Sequence, residues 1–233
     1  MDKEFLYGIC GGFTGTLLSH PFDTIKTRIQ TGNYKCILSA AQEGQLYKGL
    51  PAPLLGIMLE KSIVFGFYNK AKNNGFNNFW SGIIGGFAST VIVTPIDRIK
   101  IHIQNNNKYS SLKLTTLYKG FLPTIFRETP GFGIYFTTYN YLNTNNNNLY
   151  KSFLYGAASG FMAWLFIYPS DLIKTKNQSQ QGDILQIINS IYYTKPNYGL
   201  LNFYRGFSLA IMRAMPLHGG VFLGYELFKK YDL

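Results

Sequence analysis

Five charged residues fall in the middle of long aromatic and aliphatic stretches: Glu60 and Lys61, Arg127 and Glu128, and Arg213. A guanidinium binds a carboxylate or a phosphate bidentately, so two such arginines suit an anionic group on a small molecule. Glu60 and Glu128 suit a molecule that also bears an amine, or they pair with the arginines, and the residues alone leave both readings open. Glu60 shares a helical face with Gly56, four residues and about one turn before it. Lys61 lies further round the helix, and its reach toward the same place is open. A charge in an apolar span costs at least about 2.5 kcal/mol facing lipid, so each of these groups is expected to face a water-filled interior.

A second set of residues recurs. Pro21-Phe22-Asp23-Thr24-Ile25-Lys26-Thr27-Arg28-Ile29-Gln30 returns from Pro95 to Gln104 and again from Pro169 to Gln178, at two equal steps of 74 residues. In a single copy, Asp and Lys one turn apart make an intrahelical pair. With three copies around an axis, each Asp reaches the Lys of a neighbour, which predicts the pairs Asp23 with Lys100, Asp97 with Lys174, and Asp171 with Lys26. Gln30, Gln104 and Gln178 lie one turn beyond each Lys, where an amide bridges a pair by hydrogen bonds. Such a ring would close one mouth of a central cavity.

The elements that must position these groups follow from the repeat. Gly8, Gly82 and Gly156, and Gly12, Gly86 and Gly160, keep the same period, which divides the chain into units 1–74, 75–148 and 149–233. A later marker, Tyr47-Lys48-Gly49, Tyr118-Lys119-Gly120 and Tyr204-Arg205-Gly206, recurs at steps of 71 and 86, so the third unit has a longer middle connection. Residues 5–22, 79–96 and 152–170 contain no Asp, Glu, Lys or Arg. Each is long enough to cross a hydrocarbon core of about 30 Å as a helix. Residues 49–70, 120–142 and 206–228 supply a second, aromatic helix in each unit. The expected fold is an all-α membrane protein of six transmembrane helices, arranged as three two-helix repeats with pseudo-three-fold symmetry.

Composition narrows the function. The chain has 233 residues and a formal charge of +11, with 46% hydrophobic and only 14% charged residues. Aromatic and aliphatic richness excludes a disordered basic tail, and two cysteines exclude a disulfide scaffold. Thirteen of the 22 basic residues lie in the connections within units, which orients those loops toward the compartment held negative and attracts anionic lipid. Charge so divided does not suit a nucleic-acid partner. His20, His102 and His218 have no ligand spacing, so no metal is expected; no cofactor motif or catalytic constellation occurs, and an enzyme is not expected. The early start of the first span leaves no room for a cleavable leader, so any targeting signal is expected to be internal.

The Pro-x-Asp-x-x-Lys element, the glycines ahead of it and the aromatic-basic-Gly element after it resemble the mitochondrial carrier family across essentially the whole chain. The resemblance implies short matrix-side helices between the paired spans and a central site opening alternately to either side of the mitochondrial inner membrane. It implies substrate positions seven residues beyond each marker glycine, here Gly56, Arg127 and Arg213. It implies a second, cytosolic-side gate of aromatic-acid-x-x-base motifs. Only Tyr225-Glu226-Leu227-Phe228-Lys229 is whole; Tyr68-Asn69-Lys70-Ala71-Lys72 and Tyr139-Asn140-Tyr141-Leu142-Asn143 carry Asn at the acid position. At most one bridge, Glu226 with Lys72, is expected there, and so a weak gate, with Lys229 its third member.

Two cargoes compete. Ala52-Pro53-Leu54-Leu55-Gly56, Arg127-Glu128-Thr129-Pro130 and Arg213-Ala214-Met215-Pro216 resemble the carnitine and basic amino-acid branch. Abundant Asn, Lys, Ile, Tyr and Phe, whose codons are AT-rich, resembles a carrier from a large DNA virus or an AT-rich parasite, whose genome would demand dATP and dTTP. The leading expectation is therefore nucleotide or deoxynucleotide exchange (dATP, dTTP, ADP), in the host mitochondrion or a virion membrane. The runner-up is carnitine, acylcarnitine or basic amino-acid exchange, and a third class is a non-transporting membrane scaffold. A monomer with bound anionic lipid such as cardiolipin is expected.

Overall fold

The computed structural model describes residues 3–30, 37–42, 44–47, 49–104, 118, 121–143, 148–180, 184–193, 199–204 and 206–231. The side chains of 26–30, 37, 38, 40, 52, 96–104, 123, 174–180, 184 and 187 fall outside that description.

All the regular structure described is helical. Three long helices, α1 (Lys3–Gln30), α4 (Asn78–Gln104) and α6 (Leu149–Gln180), carry the charge-free segments and run on through Pro21, Pro95 and Pro169. Each is followed in its unit by a shorter aromatic helix: α3 (Pro51–Asn73), α5 (Phe121–Leu142) and α8 (Phe207–Tyr231). Short helices α2 (Ile37–Gln42) and α7 (Ile184–Tyr193) occupy the connections of the first and third units, the latter followed by a 3-10 turn at Gly199–Tyr204. The six long helices pack in a closed circuit, α1 on α3, α3 on α4, α4 on α5, α5 on α6, α6 on α8, and α8 back on α1.

Glycine explains how closely the helices approach. A Cβ on Gly8 would lie 2.6 Å from the Lys61 carbonyl oxygen, on Gly82 2.5 Å from that of Phe132, and on Gly156 2.6 Å from that of His218. The partners 61, 132 and 218 keep the steps of 71 and 86, so one backbone contact is made in every unit. A second face meets the neighbouring unit: Gly11 would clash with the Val221 carbonyl and Gly85 with that of Val64. Small residues permit such contact where no water drives association. The accompanying buried hydroxyls are satisfied one turn back, Thr16 on the Gly12 carbonyl at 2.7 Å and Thr90 on that of Gly86 at 2.9 Å.

This packing has a compositional consequence. Among the described residues one helix, Phe207–Tyr231, is long and apolar enough to cross a membrane by length and composition alone. The Gly, Ser and Thr positions that let α1 and α6 approach their neighbours lower their average hydropathy.

The Tyr-basic-Gly marker ties each connection back to its first helix. The Tyr118 hydroxyl donates to the Val91 carbonyl (3.3 Å) and that of Tyr204 to the Leu165 carbonyl (3.0 Å). In the first unit Tyr47 instead stacks on His20, whose Nδ1 lies 2.9 Å from the Leu46 carbonyl oxygen. The chain then turns sharply, with φ of 86° at Gly49 and 87° at Gly206, a left-handed conformation that glycine adopts without penalty.

Candidate functional site

A cavity of about 240 Å³ lies among α3, α5, α6 and α8, lined by Glu60, Lys61, Arg127, Glu128, Trp164, Arg213 and His218 with apolar neighbours. The structure therefore brings together four of the five proposed cargo residues, Glu60, Arg127, Glu128 and Arg213. The fifth, Gly56, faces open space: a Cβ there would meet nothing within 4 Å.

Every cation in the cavity carries a carboxylate. Arg127 donates through one terminal nitrogen to Asp171 at 2.9 Å and through the other to Glu128. Arg213 makes an ion pair with Asp23, and Lys61 donates to Glu60 at 2.7 Å. Thus Lys61 does reach the cavity, and Glu128 pairs with Arg127 whereas Glu60 pairs with Lys61. Of the described groups, three cations face four carboxylates. The Nε of Arg127 and of Arg213, the Tyr135 hydroxyl and the His218 Nδ1 are buried and make no hydrogen bond; for Arg213 the contact with Asp23 brings the charges together without a hydrogen bond's alignment. All four belong to residues that line the cavity.

The expected ring of Asp–Lys pairs is only partly within view. Side chains of Lys26, Gln30, Asp97, Lys100, Gln104, Lys174 and Gln178 lie outside the described residues. Asp23 and Asp171 are described, and each reaches an arginine on a second helix of another unit. Asp23 and Asp171 thus pair with arginines that line the cavity.

At the opposite end of the cavity, toward the C-terminal ends of α3, α5 and α8, lies a plug of buried rings. Tyr68 stacks on Phe136 (3.8 Å, 11°), Tyr139 on Phe222 (3.3 Å, 4°) and Tyr225 on Phe65 (4.3 Å, 25°). Each tyrosine meets the phenylalanine of another unit, and the three stacks close on themselves. The same pairs of units exchange hydrogen bonds: Asn140 donates to the Tyr68 hydroxyl at 2.9 Å, Asn69 to that of Tyr225 at 3.0 Å, and Tyr139 donates to Glu226 at 3.2 Å. Glu4 joins by accepting from Asn69 at 3.0 Å and from Tyr225.

This corrects the picture of a gate left with a single bridge. Among the described residues Glu226 and Lys72 form no ion pair; Lys72 donates to Asn140 at 3.2 Å and Tyr68 at 3.4 Å, and the Lys229 ammonium lies 5.6 Å from the Tyr225 ring. Asparagine cannot pair ionically, but it both donates to a tyrosine and accepts from a lysine, so the ring closes by hydrogen bonds and stacking rather than by ion pairs. The signal for it was a Phe-x-x-Tyr phrase at 65, 136 and 222, in register with the markers. Burial and the neighbouring Lys229 ammonium push the Lys72 amine below the usual lysine range. Asn140→Asp would relieve that repulsion with a charge-assisted bond. It is expected to raise the thermal midpoint in detergent by about 2–4 °C, near 1 kcal/mol for a chain of this size, with the gain shrinking in high salt.

The family model described as mitochondrial carrier protein matches residues 2–78, 72–114, 109–148 and 145–232. The chain belongs to the mitochondrial carrier family. Relatives of this carrier include the mitochondrial carnitine carrier of Saccharomyces cerevisiae, 30% identical over 99% of this chain and 89% of that protein. The mitochondrial basic amino acids transporter of Bos taurus is 29% identical over 99% of this chain and 92% of that protein. A mitochondrial glycine transporter of Saccharomyces cerevisiae is 29% identical over 97% of this chain and 90% of that protein. As a mitochondrial carrier it is a transporter rather than an enzyme. Neither these relatives nor the cavity supports the nucleotide expectation. Among the described residues, the two arginines that motivated it are already paired with Asp23, Glu128 and Asp171.

Proposed function

We propose that this carrier moves a small metabolite bearing both a carboxylate and an amine or quaternary ammonium, such as a basic amino acid or a carnitine ester. The observation that carries the reading is that, among the described residues, every cation of the cavity is paired with at least one carboxylate. A zwitterion exchanges partners in such a site without leaving a buried charge alone, whereas a nucleotide would add several negative charges to four carboxylates. The arginine guanidinium groups offer donors to the cargo carboxylate in exchange for their present carboxylate partners, and Glu60 and Glu128 offer acceptors to its amine. A carnitine carrier and a basic amino acids transporter among the relatives agree with that chemistry.

The wider reading is a multi-pass protein of the mitochondrial inner membrane, with six tilted spans in three repeats around a pseudo-three-fold axis. Alternating access would work between a ring of Asp–Lys pairs at Asp23, Lys26, Asp97, Lys100, Asp171 and Lys174, bridged by Gln30, Gln104 and Gln178, and the aromatic plug at the other end. The basic connections would rest on anionic lipid. Purified protein in liposomes, challenged with labelled lysine, ornithine, carnitine, ADP and dATP, tests the cargo. Uptake of the amine-bearing compounds and not of the nucleotides is expected; uptake of nucleotides alone would overturn the reading, and no exchange of any compound would favour a scaffold.

A further inference from the structure

Lys61 is 3% exposed, in the middle of α3. Its ammonium donates to Glu60 at 2.7 Å and stands over the ring of Phe132, 4.7 Å from the centroid. A carboxylate beside an aromatic face is the environment that recognises a substituted ammonium. Both groups, with Lys61 itself, line the cavity that holds Arg127 and Arg213. Positions 61, 132 and 218 are the counterparts that meet Gly8, Gly82 and Gly156, so a lysine from one unit reaches over the ring supplied by the next.

We infer that the Lys61 ammonium occupies the subsite that the ammonium of the cargo would take, so that Lys61 is a tethered competitor that sets the affinity for cargo. This deepens the proposed function and rests on the amine-bearing cargo named there. Glu60 and Phe132 bind one ammonium at a time: binding of cargo displaces Lys61 along its flexible four-carbon stem, and departure of cargo lets Lys61 return, so that Glu60 is never left as an uncompensated buried charge. The arrangement weakens binding and speeds release, because each cargo molecule must replace an interaction already made.

The test uses the full-length protein in liposomes with labelled lysine. Lys61→Gln is expected to lower KM about tenfold, the gain falling on KM rather than on the maximal rate. Lys61→Arg, which keeps a cation at the site, is expected to stay near the wild-type KM. Should Lys61→Gln fail to fold, Lys61→Cys compared before and after modification with an ethylammonium methanethiosulfonate asks the same question within one folded sample. Modification restores a tethered ammonium and is expected to raise KM again, and lysine is expected to protect the cysteine from the reagent. Wild-type protein treated identically controls for Cys10 and Cys36. Wild-type uptake of lysine with an unchanged or raised KM in Lys61→Gln, or in unmodified Lys61→Cys, would overturn the competitor role while leaving the cargo reading intact. Wild-type protein that takes up neither lysine nor carnitine overturns the cargo reading, and this inference with it.

Discussion

Exchange of amine-bearing cargo falls about a hundredfold or more when Arg213 is replaced by alanine, and the protein still inserts. Removing one partner of a fully buried charged contact costs about 2–5 kcal/mol, much of it from the charge left behind, and the half-buried Arg213–Asp23 pair belongs at the lower end of that range. Here the loss comes twice, because the guanidinium serves both the cargo carboxylate and Asp23. Arg127→Ala is expected to match it in transport and to exceed it in lost stability. Arg127 separates Glu128 from Asp171, and without it those two carboxylates face each other. Arg213→Lys keeps a charge but loses the fork and should fall between the two. Initial rates in liposomes at matched protein content decide the matter. Near wild-type rates in both alanine variants would place cargo binding elsewhere.

Phe222→Ala opens the plug. Phe222 is 2% exposed and meets Tyr139 at 3.3 Å, Tyr135 at 5.0 Å and Phe65 at 5.6 Å between centroids. Truncating a buried phenylalanine costs about 3–5 kcal/mol. Alternating states that differ by a few kcal/mol would have their preference reversed by a loss of that size. The reporter is Ala163→Cys, which lies on the cavity wall and is 5% exposed, with Cys10 and Cys36 replaced by serine. Its reaction with an impermeant maleimide, added from the side on which α8 ends, should accelerate at least tenfold in the Phe222→Ala background. An unchanged rate would mean that the stacked rings do not close that side.

What could be read from residue types alone was the repeat and, through it, the cavity. Arg127 and Arg213 announced themselves as charges where charge is costly, and the resemblance to the carrier family put them at equivalent positions of their units. Phe65, Phe136 and Phe222 gave no such notice, because a phenylalanine in an apolar helix is ordinary; only their shared register with Tyr68, Tyr139 and Tyr225 set them apart. The reach of Asp23 to Arg213 and of Asp171 to Arg127 was equally hidden. Spacing along one helix fixes its own face and height, whereas which groups meet across a cavity depends on how deeply neighbouring helices sit against each other. That depth is set by glycine-to-carbonyl contacts such as Gly8 with Lys61 and Gly11 with Val221, which have no side-chain signature on the partner.

Those contacts bear on how such a protein acquires new cargo. The atoms that a Cβ on Gly8 or Gly12 would strike all belong to the main chain of residues 57, 58, 61 and 62. Main-chain atoms are the same whatever amino acid is encoded. Mutation at position 61 therefore alters what the cavity presents without altering the seam that joins α1 to α3. The first unit is the place where a gene under selection could explore new specificities while its helices stay in register.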